Sequence, residues 1–139
     1  MHTFRKGEIQ YIIPYPDDDY GFGPKPKDER GVTLSEIISQ PKERMIYDYD
    51  FGDDWHNDVV LEKILKPEKG VKYPACTGGK LSGPPEDVGG LWEYYEFLEA
   101  IKNPKHPDHK DMREWIGGEF DPEEFDMEAT NADLKKMRI

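Results

Sequence analysis

Cysteine is nearly absent from this chain: Cys76 is the one thiol in 139 residues. It cannot close an internal disulfide, so a reducing, cytoplasmic setting is the expectation. Long apolar runs are missing too. None approaches the roughly 20 residues that a membrane span requires, and no signal-peptide core follows Met1, which predicts no membrane partner. Positive charge is scarce, since 19 Lys and Arg stand against 30 Asp and Glu and leave a formal net charge of −11. Binding to nucleic acid relies on clustered Lys and Arg that release counterions from phosphates, so this spread of acids argues against direct nucleic-acid binding. It suits solubility, or a cationic or metal partner. Nucleotide-binding loops, hydrolase elbows, zinc-finger spacings, paired redox cysteines and internal repeats are also lacking, so no reaction is announced by a motif.

What is present is a supply of rings. Aromatic residues make up 12% of a chain that is only 35% hydrophobic, enough for a core of large side chains and against wholesale disorder. The length predicts one domain, with too few residues for two ordinary ones.

The most informative stretch runs from Asp48 to Ile64. Upstream of its turn, Met45, Tyr47, Tyr49 and Phe51 alternate with Ile46, Asp48 and Asp50, a period of two that assigns the first set to one sheet face. Downstream, Trp55, Asn57, Val59, Leu61 and Leu65 share one face, and His56, Asp58, Val60, Glu62 and Ile64 the other. Gly52-Asp53-Asp54 supplies residues that tolerate turn geometry, so a β-hairpin is predicted over Arg44 to Leu65.

Around it, Thr3 to Ile13 reads as a short hairpin or one bent strand turning at Lys6-Gly7. Pro16 to Gly31, rich in acids, glycine and proline, reads as a surface loop. Thr33-Leu34-Ser35-Glu36 has capping-box spacing and opens a short helix that Pro41 stops. Val71 to Tyr73 adds a brief strand, and a glycine- and proline-rich loop follows from Pro74 to Gly90. Leu91 to Lys102 is the clearest helix, with Leu91, Tyr94, Tyr95, Leu98 and Ile101 as its apolar stripe. Pro107 to Ile116 forms another, with Met112, Trp115 and Ile116 inward, and Met127 to Met137 a last one. The predicted fold is α+β: an antiparallel, strongly twisted sheet with the Leu91 and Pro107 helices packed on one face.

Four segments carry a resemblance: Tyr-Asp-Phe-Gly-Asp-Asp-Trp at Tyr49 to Trp55, Tyr-Pro-Ala-Cys at Tyr73 to Cys76, Pro-Pro-Glu-Asp-Val-Gly-Gly at Pro84 to Gly90, and Trp-Ile-Gly-Gly-Glu-Phe-Asp-Pro-Glu-Glu-Phe-Asp at Trp115 to Asp126. In order and spacing they resemble the plasmid pRiA4b ORF-3-like family, from about Met1 to Asp133. The resemblance implies an α+β domain, an association with mobile elements, and no particular activity. Members commonly carry a second cysteine before Pro-Pro-Glu-Asp, where Gly83 stands here, so no cysteine-pair chemistry carries over. They also usually have a strand and two helices ahead of the segment resembling Met1-His2-Thr3-Phe4. The expectation that follows is an unpaired strand edge and an apolar patch near Phe4, Ile9 and Tyr11, and through them self-association.

Two readings of the polar residues stand side by side. Asp53, Asp54 and His56, joined by Glu86 and Asp87, would offer oxygen and nitrogen ligands to a divalent metal, as in a metal-dependent hydrolase or nuclease. The plainer reading has Asp53 and Asp54 making the turn, with Glu86 and Asp87 at the positive end of the Leu91 helix. His106 and His109 could share a metal or simply line a helix entrance, and Cys76 could be a nucleophile with His56 as base or an ordinary loop thiol. The favoured expectation is a cytoplasmic binding or accessory domain whose contact surface comprises Asp53, Asp54, Trp55, His56, Cys76, Glu86 and Asp87.

Overall fold

The computed structural model describes residues 1–137, which gather into two compact units, one from Met1 to Leu65 and one from Lys66 onward. The fold is α+β. In the first unit, β1 (His2–Lys6), β2 (Ile9–Ile12), β3 (Lys27–Asp28), β4 (Arg44–Tyr49) and β5 (Trp55–Val60) form one sheet in the order β3-β2-β1-β4-β5. All neighbours pair antiparallel except β2 and β3, which are parallel. Gly7, at φ +58°, makes the tight turn between β1 and β2, a conformation glycine enters without the steric cost a side chain meets.

Alternation fixes which face is buried. Phe4 pairs with Tyr11 on one side and Tyr47 on the other, and Met45 pairs with Val59, so apolar side chains from four strands share a face. The short helix α1 (Leu34–Ile37) closes it: Ile37 and Ile38 form the buried cluster with Tyr11 and Met45, against which Phe4, Val32, Val59 and Leu61 pack. Each such side chain contributes about 1.5–3 kcal/mol when fully removed from water. Helix α1 begins as its sequence requires, with the Thr33 N–H donating to Glu36 Oε2 at 2.7 Å. Its exit is held by Glu43, whose Oε2 accepts from the N–H groups of Ser39 and Gln40 while Oε1 lies 3.0 Å from Lys6 Nζ. The Ser39 N–H, with Lys6 and the Gln40 N–H, holds the Glu43 carboxyl down at about 2.

Three expectations for this unit are corrected. Strand β5 ends at Val60 rather than Leu65; the pairing is prolonged only by the Lys42 N–H donating to the Leu61 carbonyl and the Leu61 N–H to that of Glu43. The Pro16 to Gly31 loop contains β3, which runs beside Tyr11 and Ile12. The strand edge expected near Phe4, Ile9 and Tyr11 is therefore covered by β3 at Tyr11 and Ile12, and not at Ile9. Strand β1 lies between β2 and β4, and Tyr11 is only 6% exposed, so of the three residues Ile9 alone stands out at 42%.

The second unit is helical, with α2 (Leu91–Lys102), α3 (His109–Ile116) and α4 (Met127–Lys136). No strand forms at Val71 to Tyr73, where Pro74 removes the N–H that would continue a ladder. Phe97, 2% exposed, is the centre: its ring lies 5.4 Å from Phe120, 5.6 Å from Trp115 and 6.4 Å from Tyr94. The buried face of α2 is thus turned from the expected stripe. Phe97 and Ala100 are buried and Tyr94, Leu98 and Ile101 half-buried, while Leu91 and Tyr95 are exposed, because residues three and four apart flank Phe97 on one side of the helix. Helix α3 stops where Gly117 enters the left-handed region at φ +75° and donates its N–H to the carbonyls of Arg113 and Glu114. Helix α4 is capped by Asp126, whose side chain accepts from the Ala129 N–H at 2.8 Å.

Trp115 is 46% exposed, a second departure from the inward placement expected of it. Phe97→Ala should accordingly cost about 3–5 kcal/mol, and Trp115→Ala roughly half of that. Chemical denaturation of both variants checks the ranking, and a Trp115 loss equal to or above that of Phe97 would mean that the ring carries the core.

Candidate functional site

The sheet face opposite α1 carries the polar constellation. Asp48 of β4 is paired in register with His56 of β5, and Thr3 of β1 lies opposite Asp48 on its other side. Arg5, two residues along β1, projects to the same face and grips the carboxylate with both arms of its fork: Nη2 donates to Oδ1 at 2.9 Å and Nε donates to Oδ2. His56 Nδ1 lies 2.5 Å from Asp48 Oδ1. An ionised carboxylate only accepts, so this nitrogen carries the proton and Nε2 points outward. There it meets Asp54 Oδ2 at 3.5 Å.

Burial makes the arrangement consequential. Asp48 is 8% exposed, and an isolated charge at that depth would be costly. The Arg5 guanidinium, with further help from the His56 ring, outweighs the burial and holds the Asp48 carboxyl below its ordinary range, and Asp48 in turn pushes Arg5 up. His56 remains open to solvent, its side chain 55% exposed.

The turn that brings Asp54 to the ring is built by aspartates. Asp50 and Asp54 both sit at positive φ, 51° and 57°, which short polar side chains tolerate better than most. Asp50 Oδ1 accepts from the Gly52 N–H at 3.0 Å and its carbonyl from the Asp54 N–H at 2.6 Å. Asp53 is half-buried on the turn, and Trp55 pairs across the ladder with Tyr49.

Asp53, Asp54, Trp55 and His56 lie in the first unit, and Cys76, Glu86 and Asp87 in the second. Cys76 is clamped through its backbone: its N–H donates to Asn131 Oδ1 at 2.7 Å and its carbonyl accepts from Asn131 Nδ2 at 2.9 Å, while the thiol donates to the Gly78 carbonyl. Asp87 adopts φ +57° just ahead of α2. Among the described residues no group of three or more His, Cys, Asp or Glu side chains is gathered as a metal site. His106 and His109 take separate duties: His106 Nδ1 accepts from the Asp108 N–H at 3.1 Å, and His109 Nδ1 donates to the Ala100 carbonyl at 2.7 Å. Asp48 and Arg5 are the two members of the constellation that sequence reasoning missed. Asp48 was within reach of it, since the hairpin alternation puts it on the His56 face; Arg5 was not, because nothing local reveals that β1 lies beside β4.

The model of the family described as Plasmid pRiA4b ORF-3-like protein matches residues 1–129. An uncharacterized protein, y4hQ, of Sinorhizobium fredii is 33% identical over 132 residues, which cover 94% of this chain and 63% of that protein. The chain therefore spans less than two thirds of the length of that curated relative. The crystal structure of MM3350, a protein of unknown function from Methanosarcina mazei Go1, superposes with a TM-score of 0.74 at 34% identity, covering 92% of this chain and 71% of that one.

Asp48→Asn should lower stability at neutral pH by about 2 kcal/mol, the range of a hydrogen bond to a charged group. Because the folded carboxyl is held below its ordinary 3.8, its contribution is fully present above that pH and is lost as the pH falls through the lowered value. The stability difference between wild type and variant should then narrow in acid. Urea unfolding from pH 7 down to about pH 2 measures it, and a difference that stays constant would assign the effect to packing rather than charge.

Proposed function

We propose, for a chain that belongs to the plasmid pRiA4b ORF-3-like family, that it is a non-enzymatic binding or accessory domain for a positively charged partner. The observation that carries this reading is the placement of His56 between two carboxylates, Asp48 and Asp54, at the solvent end of the hairpin. Nδ1 of the ring is engaged by Asp48, and the outward Nε2 lies 3.5 Å from Asp54 Oδ2, so the exposed edge of the ring is bordered by carboxylate. Braced by Arg5 from behind, the ring and the Asp53-Asp54 turn form a preformed negative surface, which recognises positive charge without further ordering.

The contact surface extends in this reading to the Cys76 to Gly90 loop, with Glu86 and Asp87, and the two units act as parts of one domain, which the unbroken family match supports. A cytoplasmic setting and a mobile-element context belong to the same proposal; the single cysteine is consistent with the first. A second copy of the chain is the other partner this reading allows, docking at the edge near Phe4, Ile9 and Tyr11, where Ile9 is exposed and not paired to β3.

Calorimetric titration with an oligolysine peptide at low salt tests the charge reading. Replacing both turn acids, Asp53→Asn with Asp54→Asn, should weaken binding roughly fivefold, as two exposed ion pairs at about 0.5 kcal/mol each would give. Removing the same charge elsewhere, Glu8→Gln with Glu128→Gln, should leave it within about a factor of two, since exposed pairs are often worth nothing measurable. Equal losses from both pairs would reduce the effect to net charge and overturn the site. Stoichiometric metal in protein purified without a metal-affinity step would instead favour the metal-dependent hydrolase or nuclease.

A further inference from the structure

The helical unit holds a cavity of about 330 Å³ between α2, α3 and the loop that leads into α2. Its floor is apolar: Phe97 and Ala100 from α2, with Met112 and Trp115 from α3. Phe97 and Ala100 are almost wholly buried. The Trp115 ring stands at 77° to Phe97 and is nearly half exposed, so an aromatic surface lines the trough.

The rim has the opposite chemistry. Asp87, Glu93, Glu96 and Asp108 all line the cavity, and no lysine or arginine does. Asp87, Glu93 and Glu96 are exposed, and none of the three has an ion pair or hydrogen bond among the described side chains. His106 is the remaining polar group; its Nδ1 is occupied by the Asp108 N–H, which leaves Nε2 as the nitrogen not so engaged. Uncompensated carboxylates around an aromatic and aliphatic floor attract a cation that also has an apolar body. The charge is drawn by the acids, a cation beside an indole gains further attraction, and methylene groups cover the floor. An inorganic ion would satisfy the rim and leave the floor wet.

We propose that this cavity binds a small organic polycation of the alkyl-polyamine class, with its amines at the carboxylate rim and its methylene chain over Phe97, Met112 and Trp115. The site lies in a different unit from the Asp53–His56 turn and shares with the contact surface proposed above only Asp87 and Val88, so either can fail alone. A volume of about 330 Å³ is at the small end of ligand pockets and fits a short flexible chain rather than a large heterocycle.

The test is calorimetric titration of the full chain with spermidine and, as a charge-matched compact control, with hexaamminecobalt(III). Spermidine should bind at one site per chain and clearly more tightly than the cobalt complex. Glu93→Gln with Glu96→Gln should weaken it roughly tenfold, as expected for losing two rim charges around one ligand, and those surface changes leave the apolar floor intact. Trp115→Leu should weaken it severalfold, with folding checked by circular dichroism. The Asp53→Asn, Asp54→Asn pair should leave it unchanged, which separates this site from the hairpin turn. Equal affinity for the two trications, or equal loss from the rim and hairpin variants, would reduce the effect to diffuse charge and overturn the proposal. A lysine-rich peptide that competes at lower concentration than spermidine would overturn the small-molecule assignment in favour of a protein side chain.

Discussion

The first unit depends on the bidentate pairing of Arg5 with Asp48. A carboxylate near the end of a strand, 8% exposed, is tolerated only if its charge is met by donors of good geometry. Arg5 meets it from β1 and His56 from β5, so one side chain ties three strands together on the face that α1 does not cover. The pairing also fixes register. A shift of β4 by one residue would turn Asp48 toward Tyr11 and Ile37 and bring Met45 and Tyr47 to the polar side, abandoning the ion pair and the core at once. Charge on one face and apolar burial on the other therefore enforce the same alignment.

The second unit solves a different problem with the same scarcity of aliphatic residues. Its centre is aromatic: Phe97 meets Phe120 and Trp115 edge-on and Tyr94 near parallel. Rings bury large areas with few rotatable bonds, and edge-on contacts add to that burial. A core of this kind is small, and a large share of its lining side chains stay near solvent. Trp115 belongs to the cluster and to the surface together, which is how a stabilising ring comes to line a cavity.

Acidity runs through both units and acts differently in each. On the hairpin, Asp50 and Asp54 first satisfy the backbone geometry of the turn, and Asp54 then closes on the outward nitrogen of His56. Ahead of α2, Asp87 takes a similar left-handed position and Glu93 occupies the first turn of the helix, where negative charge complements the positive end of the helix. Residues placed for folding thus leave negative charge presented outward on both units.

The hairpin and its two faces, the capped start of α1, and the existence of α2, α3 and α4 were legible in the sequence, because each follows from signals within a few residues: a period of two, a capping spacing, a periodic stripe. The four segments from Tyr49 to Asp126 also carried the family. Local signals could not show that Lys27–Asp28 lies beside Tyr11–Ile12, that β1 lies beside β4, or that Arg5 reaches Asp48, since these join residues 16 to 47 positions apart. Nor could they set which side of α2 is buried: Leu91 and Tyr95 fit the stripe as well as Phe97 does, and only packing against Trp115 and Phe120 turned the helix toward Phe97. Periodicity along the chain determined which elements form and which faces they offer; contacts between distant segments decided their order and their depth, because burial is a property of neighbours that the chain brings together only on folding.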